Sequence, residues 1–237
     1  MFKKILSTAL AMAMVLSMAV STSAALGKPG SSTPSTKTEQ SSSSSKKSSS
    51  SSSSSKGYDL CKTQLAKDKL ALSMHNTFLS GLKANKDKIT VSIKGYTEKQ
   101  VYAAFQSSLQ MIFDEHPEIF WLDTMQNLVV SSDHKTLTFY PRPASGYGTA
   151  SKDGLTASKL NTTAIKNTTA KMNEAVKKMT GSTTYEQVKA IHDGIINKTQ
   201  YPANPDKATH NQHQAVGPLV EGKAVCDGYA KAFKYAC

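Results

Sequence analysis

Cys226 lies in the run Gly222-Lys-Ala-Val-Cys226-Asp-Gly-Tyr-Ala-Lys-Ala-Phe233, where a glycine-containing loop gives way to residues at helical spacing. A helix beginning near Cys226 gathers Cys226, Tyr229, Ala230, Phe233 and Cys237 on one face and leaves Asp227, Lys231 and Lys234 on the other. The expected placement is a thiol in the first turn of a buried, amphipathic helix. Unpaired backbone N–H groups and the positive end of the helix dipole favour thiolate at such a position. The same N–H groups can receive the oxyanion of an acyl-transfer intermediate. A buried, inert cysteine is the competing account of this residue.

Two other cysteines, Cys61 and Cys237, make the count odd, so at least one thiol is free or paired between chains. Cys226 and Cys237 on one helix stand about 16 Å apart, beyond the ~7 Å that a disulfide tolerates between Cα atoms. A bridge from Cys61 to either stays open. His210 and His213 form an H-x-x-H with no carboxylate or third ligand at a sensible spacing, so no metal is expected, and no cofactor motif is present. His192 sits at the edge of the apolar face of its helix, and His75, His116 and His134 read as structural or exposed. The sequons at Asn161, Asn167 and Asn197 read as chance matches in a Thr-rich region.

The elements that must position Cys226 follow from periodicity. Leu65, Leu70, Leu72, Met74, Phe78 and Leu79 predict a helix from about Asp59 to Leu82, with Gly81 and Asn85 as terminators. Thr97, followed by Glu98 and Gln100, caps a second helix that ends before Pro117. The aromatic-rich segment His116 to Leu122 is expected to be buried. Leu128–Val130 and Thr136–Tyr140 predict two short strands joined by a turn. A helix is expected from about Ala157 to Met179, and another from Thr184 to about Lys198 that presents Val188, Ile191 and Ile195 on one face. Thr199 to Gly217 reads as a long loop.

The chain has 237 residues, and fewer of them can build a core. Lys3, Lys4, an apolar run and the small residues Ser21 to Ala25 make residues 1–24 a secretory signal peptide, so no membrane span is expected after its cleavage. Residues 25–56 are a Ser-rich, low-complexity linker that is expected to be disordered and to be released by limited proteolysis near Gly57. Residues 57–150 then form an N-terminal α+β region, and residues 151–237 carry the chemistry. From Gly57 onward 22 basic residues face 16 acidic ones, the lysines are scattered, and Arg142 is the one arginine. That pattern argues against a nucleic-acid reader and fits a mildly basic exported protein beside an anionic cell wall.

The Gly222–Phe233 segment resembles the nucleophile segment of the transglutaminase-like superfamily, in bacterial secreted members especially. The Ile191-His-Asp-Gly-Ile-Ile196 helix followed by Tyr201 is similar to the helix that precedes it, and His116-Pro-Glu-Ile-Phe-Trp121 looks like the region N-terminal to the core. The family segment often carries an aromatic residue before the glycine that is Gly217 here, where this chain has Val216. The resemblance implies an α+β fold with a papain-like/transglutaminase-like core, of which only the N-terminal part is present, after a helix-rich α+β region. It implies Cys226 as nucleophile in acyl transfer on peptide or Gln amides, by hydrolysis or transamidation, secreted or at the cell surface, on a protein or peptide substrate such as a cell-wall peptide. The family's His and Asp lie downstream of the cysteine, so this chain is expected to lack them, and the substrate-binding residues are unassigned. Fast alkylation of Cys226, ahead of Cys61 and then Cys237, is therefore expected with negligible turnover. Robust turnover lost in Cys226→Ala would point to His192, His210 or His213. Deleting residues 226–237 is expected to cost little stability. The alternative is a noncatalytic cell-wall or surface binding module with the same fold.

Overall fold

An aspartate, rather than a long leucine repeat, starts the helix that follows Leu65. The computed structural model describes residues 65–237; the signal peptide, the Ser-rich linker and Cys61 lie outside the described residues. Asp68 has extended backbone angles, and its carboxylate accepts the Ala71 N–H at 2.9 Å. Helix α1 therefore begins at Lys69 and runs over Lys69–Lys83, correcting the expectation of one helix continuous through Leu65. Asn85, at a φ of 52°, ends it. Its N–H donates to Leu82 O, and the Lys86 N–H donates to Gly81 O. Gly81 is not a terminator; it lies buried within α1, against Ile89.

Helix α2, Glu98–Glu115, starts as expected, with Thr97 and Gln100 exchanging side-chain and backbone hydrogen bonds in a capping box. Three short antiparallel strands follow the order β1-β3-β2, with β1 at Ile89–Ser92, β2 at Leu128–Val130 and β3 at Thr136–Phe139. Ile89 faces Phe139 and Val91 faces Leu137 across the ladder, so all four side chains share the buried side of the sheet. Phe78 of α1, Phe105 of α2 and Phe139 meet there, with ring centroids 4.8 to 5.8 Å apart. After α2 a 3₁₀ turn at Pro117–Ile119 leads into Phe120, Trp121 and Leu122, all buried.

Two residues that helical spacing had claimed are in a strand. Lys159–Leu160 (β5) pairs with Gly148–Thr149 (β4). Asn161 then caps helix α3, Thr162–Val176, by accepting the Ala164 N–H at 3.0 Å. Helix α4, Thr184–Ile196, carries the second capping box, between Thr183 and Glu186. Ile191 and Ile195 are buried, but Val188 is 42% exposed. Gly194 lets α4 close on Met179, which rotates the buried stripe away from Val188. The expected long loop is instead a chain of tight turns, at Pro205–Lys207, His210–His213 and Gly217–Glu221, before helix α5, Cys226–Ala236. The architecture is mixed helix and small antiparallel sheet, and one hydrophobic cluster extends from Leu65 to Ala232.

Candidate functional site

Cys226 is the first residue of α5, and the chain is steered to it by a series of backbone bonds. Gly222 has φ 69° and ψ 20°, a left-handed conformation that glycine adopts without cost and that turns the chain out of the Gly217–Glu221 turn. Gln200 N–H donates to Gly222 O, and Ala224 N–H donates to Gln200 O, stitching the approach strand to the end of α4. Val225 N–H then donates to Gln212 O at 3.1 Å. Val225 is extended and has no side-chain oxygen to cap α5. The Gly228 N–H turns to the carboxylate of Asp227 at 3.1 Å, and Tyr229 N–H to Val225 O. Among the described residues, nothing accepts the N–H groups of Cys226 and Asp227, so two donors stand beside the thiol. Cys226 is exposed, and its Sγ makes no hydrogen bond among the described residues; Cys237 is likewise free and exposed.

The helix face that carries Cys226 is partly open to solvent. Cys226, Ala230 and Cys237 are exposed, and Tyr229 and Phe233 are half-buried, whereas Gly228 and Ala232 are buried. Small residues decide this. A Cβ on Gly228 would lie 2.2 Å from Gln212 O, so α5 touches the backbone of the His210–His213 turn at a distance no larger residue allows. Lys231, expected on the solvent face, follows the seam inward and is only 14% exposed. Its ammonium donates to His213 O at 3.0 Å and to Gln214 Oε1 at 3.2 Å. Burial pushes its pKa below the ordinary lysine range, and the charges of Asp227 and Asp114 oppose that shift.

The same seam separates the histidines. His213 turns Nδ1 toward both carboxylate oxygens of Asp227, at 3.0 and 3.1 Å. His210 places Nε2 2.7 Å from Phe120 O, to which it donates, and burial lowers its pKa against that hydrogen bond. The two rings of the H-x-x-H thus serve different partners, and no group of three or more metal-binding side chains occurs among the described residues. His192 is held on exposed α4 by Asp193, to which Lys189 also bonds. His75 is buried with its ring 5.5 Å from that of His116, while His134 stands in the β2–β3 turn at a φ of 52°. Among the described residues, His213 is joined to Asp227, the residue that follows Cys226. Spacing assigned Asp227 and Lys231 to solvent; Asp227 is 41% exposed, while Lys231 turns inward, and the i, i+4 pair of small residues, Gly228 and Ala232, was the available signal for that buried seam.

Beyond the thiol, Tyr229 donates its hydroxyl to Thr199 O at 2.9 Å and stacks on Tyr201, with centroids 6.4 Å apart and planes 16° from parallel. Tyr201 is 55% exposed, so an aromatic surface continues from the Cys226 face of α5 onto the segment after α4. In comparisons with known proteins the chain matches no family model, and no curated protein matches it.

Proposed function

We propose that this chain carries the nucleophile-bearing part of a papain-like, transglutaminase-like core, exported to the cell surface, and acts by cysteine-dependent acyl transfer on peptide or Gln amides. One observation carries this reading. An exposed thiol occupies the first position of α5 beside the unaccepted N–H groups of Cys226 and Asp227. The Cys226 thiol gives its proton to solvent, the thiolate adds to an amide carbonyl, and the two N–H groups receive the oxyanion; the C–N bond then breaks as the nitrogen takes a proton from solvent, leaving the thioester and a free amine. Water then gives hydrolysis, and a second amine gives a cross-link.

The test uses the full chain and Cys226→Ala, assayed for amine incorporation into a Gln-containing protein and for peptide hydrolysis. The expected result is an acyl adduct on Cys226 by mass and loss of both activities in the variant. Equal activity in Cys226→Ala overturns the reading. A noncatalytic wall-binding module is the second reading, favoured by the exposed Tyr201–Tyr229 stack and by the lack of any imidazole bonded to the thiol among the described residues. It predicts sedimentation with purified cell wall that Cys226→Ala leaves unchanged and Tyr201→Ala weakens.

A further inference from the structure

We propose that the outward face of α4 is a self-pairing surface on which a second copy of this chain docks antiparallel; the inference does not depend on the acyl-transfer reading above. Six large apolar side chains stand exposed among the described residues, and three of them, Tyr185, Val188 and Ile196, lie on α4 at 75%, 42% and 49% exposure. At 3.6 residues per turn, the steps from Tyr185 to Val188, His192 and Ile196 keep all four in one stripe. Ile191 and Ile195 already face the core from another side of the helix. A helix with one apolar face is satisfied by the core it packs on, so this outer stripe calls for a second cover.

The flanking charges select a second copy as that cover. Lys189 and Asp193 lie along the same edge of the stripe, where they pair with each other, and both reach solvent. One charge of each sign favours neither an acidic nor a basic partner, but it complements itself. In two antiparallel helices related by a two-fold axis, this edge meets its own copy running the other way, so Lys189 comes beside Asp193 of the second copy. The apolar side chains obey the same symmetry. Val188 stands four residues before His192 and Ile196 four residues after it. With the axis at His192, each Val188 therefore faces the Ile196 of the second copy. His192, bonded to Asp193 at 3.0 Å, meets its own copy on the axis.

The size of the patch sets the strength expected. A tyrosine offers about 150–250 Å² and the smaller residues less, so stripe and edge together cover roughly 500 Å² on each copy. The two copies hide about 1,000 Å², the lower limit for a specific interface, which fits a reversible dimer in exchange with monomer rather than an obligate one. The contact needs no rearrangement of α4, since Ile191 and Ile195 stay in the core.

The experiment is sedimentation velocity of the full chain over about 5–500 µM, with reductant present so that the exposed Cys226 and Cys237 do not link copies. The expected outcome is a sedimentation coefficient that rises with concentration as monomer converts to dimer. Ile196→Glu, and separately Tyr185→Lys, are expected to weaken association about tenfold or more. Both are expected to melt like the wild type at low concentration, because both positions face solvent in the monomer. Lys189→Glu sets like charges against Asp193 of the second copy and is expected to weaken association about as much. The exchange of Lys189→Asp with Asp193→Lys keeps the edge self-complementary and is expected to restore wild-type association. A chain that stays monomeric throughout overturns the proposal. Dimers that Ile196→Glu and Tyr185→Lys leave unchanged overturn it too, placing the contact elsewhere, residues 1–64 included. Failure of the exchanged pair to restore association overturns the antiparallel arrangement.

Discussion

At the scale of single residues, charge placement was the least legible property. Asp227 and Lys231 read as a solvated face because polarity at helical spacing normally marks solvent. The structure buries Lys231 because a lysine stem can lie along apolar surface while its ammonium finds backbone and amide acceptors. Glu118 illustrates a charged residue whose partners decide its behaviour. Burial acts to raise its pKa, but hydrogen bonds from His116, its own backbone and Lys83 outweigh that and hold it at about 2, against a usual 4.5. Because the folded value is depressed, the resulting stability is fully present above about 4.5 and is lost as pH falls toward about 2. The nominal shift is worth roughly 3 kcal/mol, and screening of this partly exposed pair brings it to roughly 1–2 kcal/mol. Glu118→Gln is therefore expected to unfold about 1–2 kcal/mol more easily at pH 7 and to converge on the wild type near pH 2 in urea titrations. A gap that stays constant across that range would mean that the carboxylate charge is not its source.

At the scale of elements, starts were more legible than surfaces. Thr97 announced its helix because a cap is a local event, made by residues three apart; Thr183 and Glu186 carry the same signal for α4, whose start was read from Thr184 by periodicity. The β2–β3 hairpin was legible for the same reason. Strand β1 was missed because four residues of alternating pattern are too short a signal, and its partner β3 lies on the far side of α2. The inward face of α5 was misassigned because bulk, the usual sign of burial, was outweighed by the closeness that Gly228 and Ala232 permit. Two glycine substitutions test that account. Gly228→Ala puts a Cβ 2.2 Å from a backbone oxygen, which cannot turn aside, and is expected to cost about 2–3 kcal/mol. Gly81→Ala puts one 2.5 Å from Ile89 Cδ1 and 2.6 Å from Cγ1, side-chain atoms that must shift within the core, whereas a backbone oxygen cannot. This variant also gains about 1 kcal/mol of helix propensity, so its net effect is expected to lie within about 1 kcal/mol of zero. Chemical denaturation of both variants checks the ordering, and equal losses would show that the identity of the crowded atom is immaterial.

At the scale of the whole molecule, the mixed α and β character was legible, because composition and periodicity report element type, whereas long-range packing was not. The terminal segment shows the difference. Residues 226–237 read as a weakly attached helix, yet Ala232 belongs to the common hydrophobic cluster, and Tyr229, Phe233, Tyr235 and Ala236 pack against that cluster. Lys234 pairs with Glu115 of α2, and Tyr235 donates to Asn173 of α3 at 2.7 Å. Deleting residues 226–237 is therefore expected to cost several kcal/mol, since truncating even one buried side chain commonly costs about 2 or more. Native-state hydrogen exchange is expected to protect the α5 amides from Tyr229 onward to the same degree as those of α2. An unchanged thermal midpoint after the deletion would return α5 to the status of an appendage. The order β1-β3-β2 also bears on how the protein is made. The ribosome delivers Ile89–Ser92 first, then the whole of α2, and only afterwards the Thr136–Phe139 segment that pairs with it. During that interval α1 and α2 can already associate, while the nascent β1 keeps Ile89 and Val91 without their cross-strand partners. Slowing translation between Ser92 and Thr136 would prolong the time that this edge stays open to other chains, and that interval is where aggregation would begin.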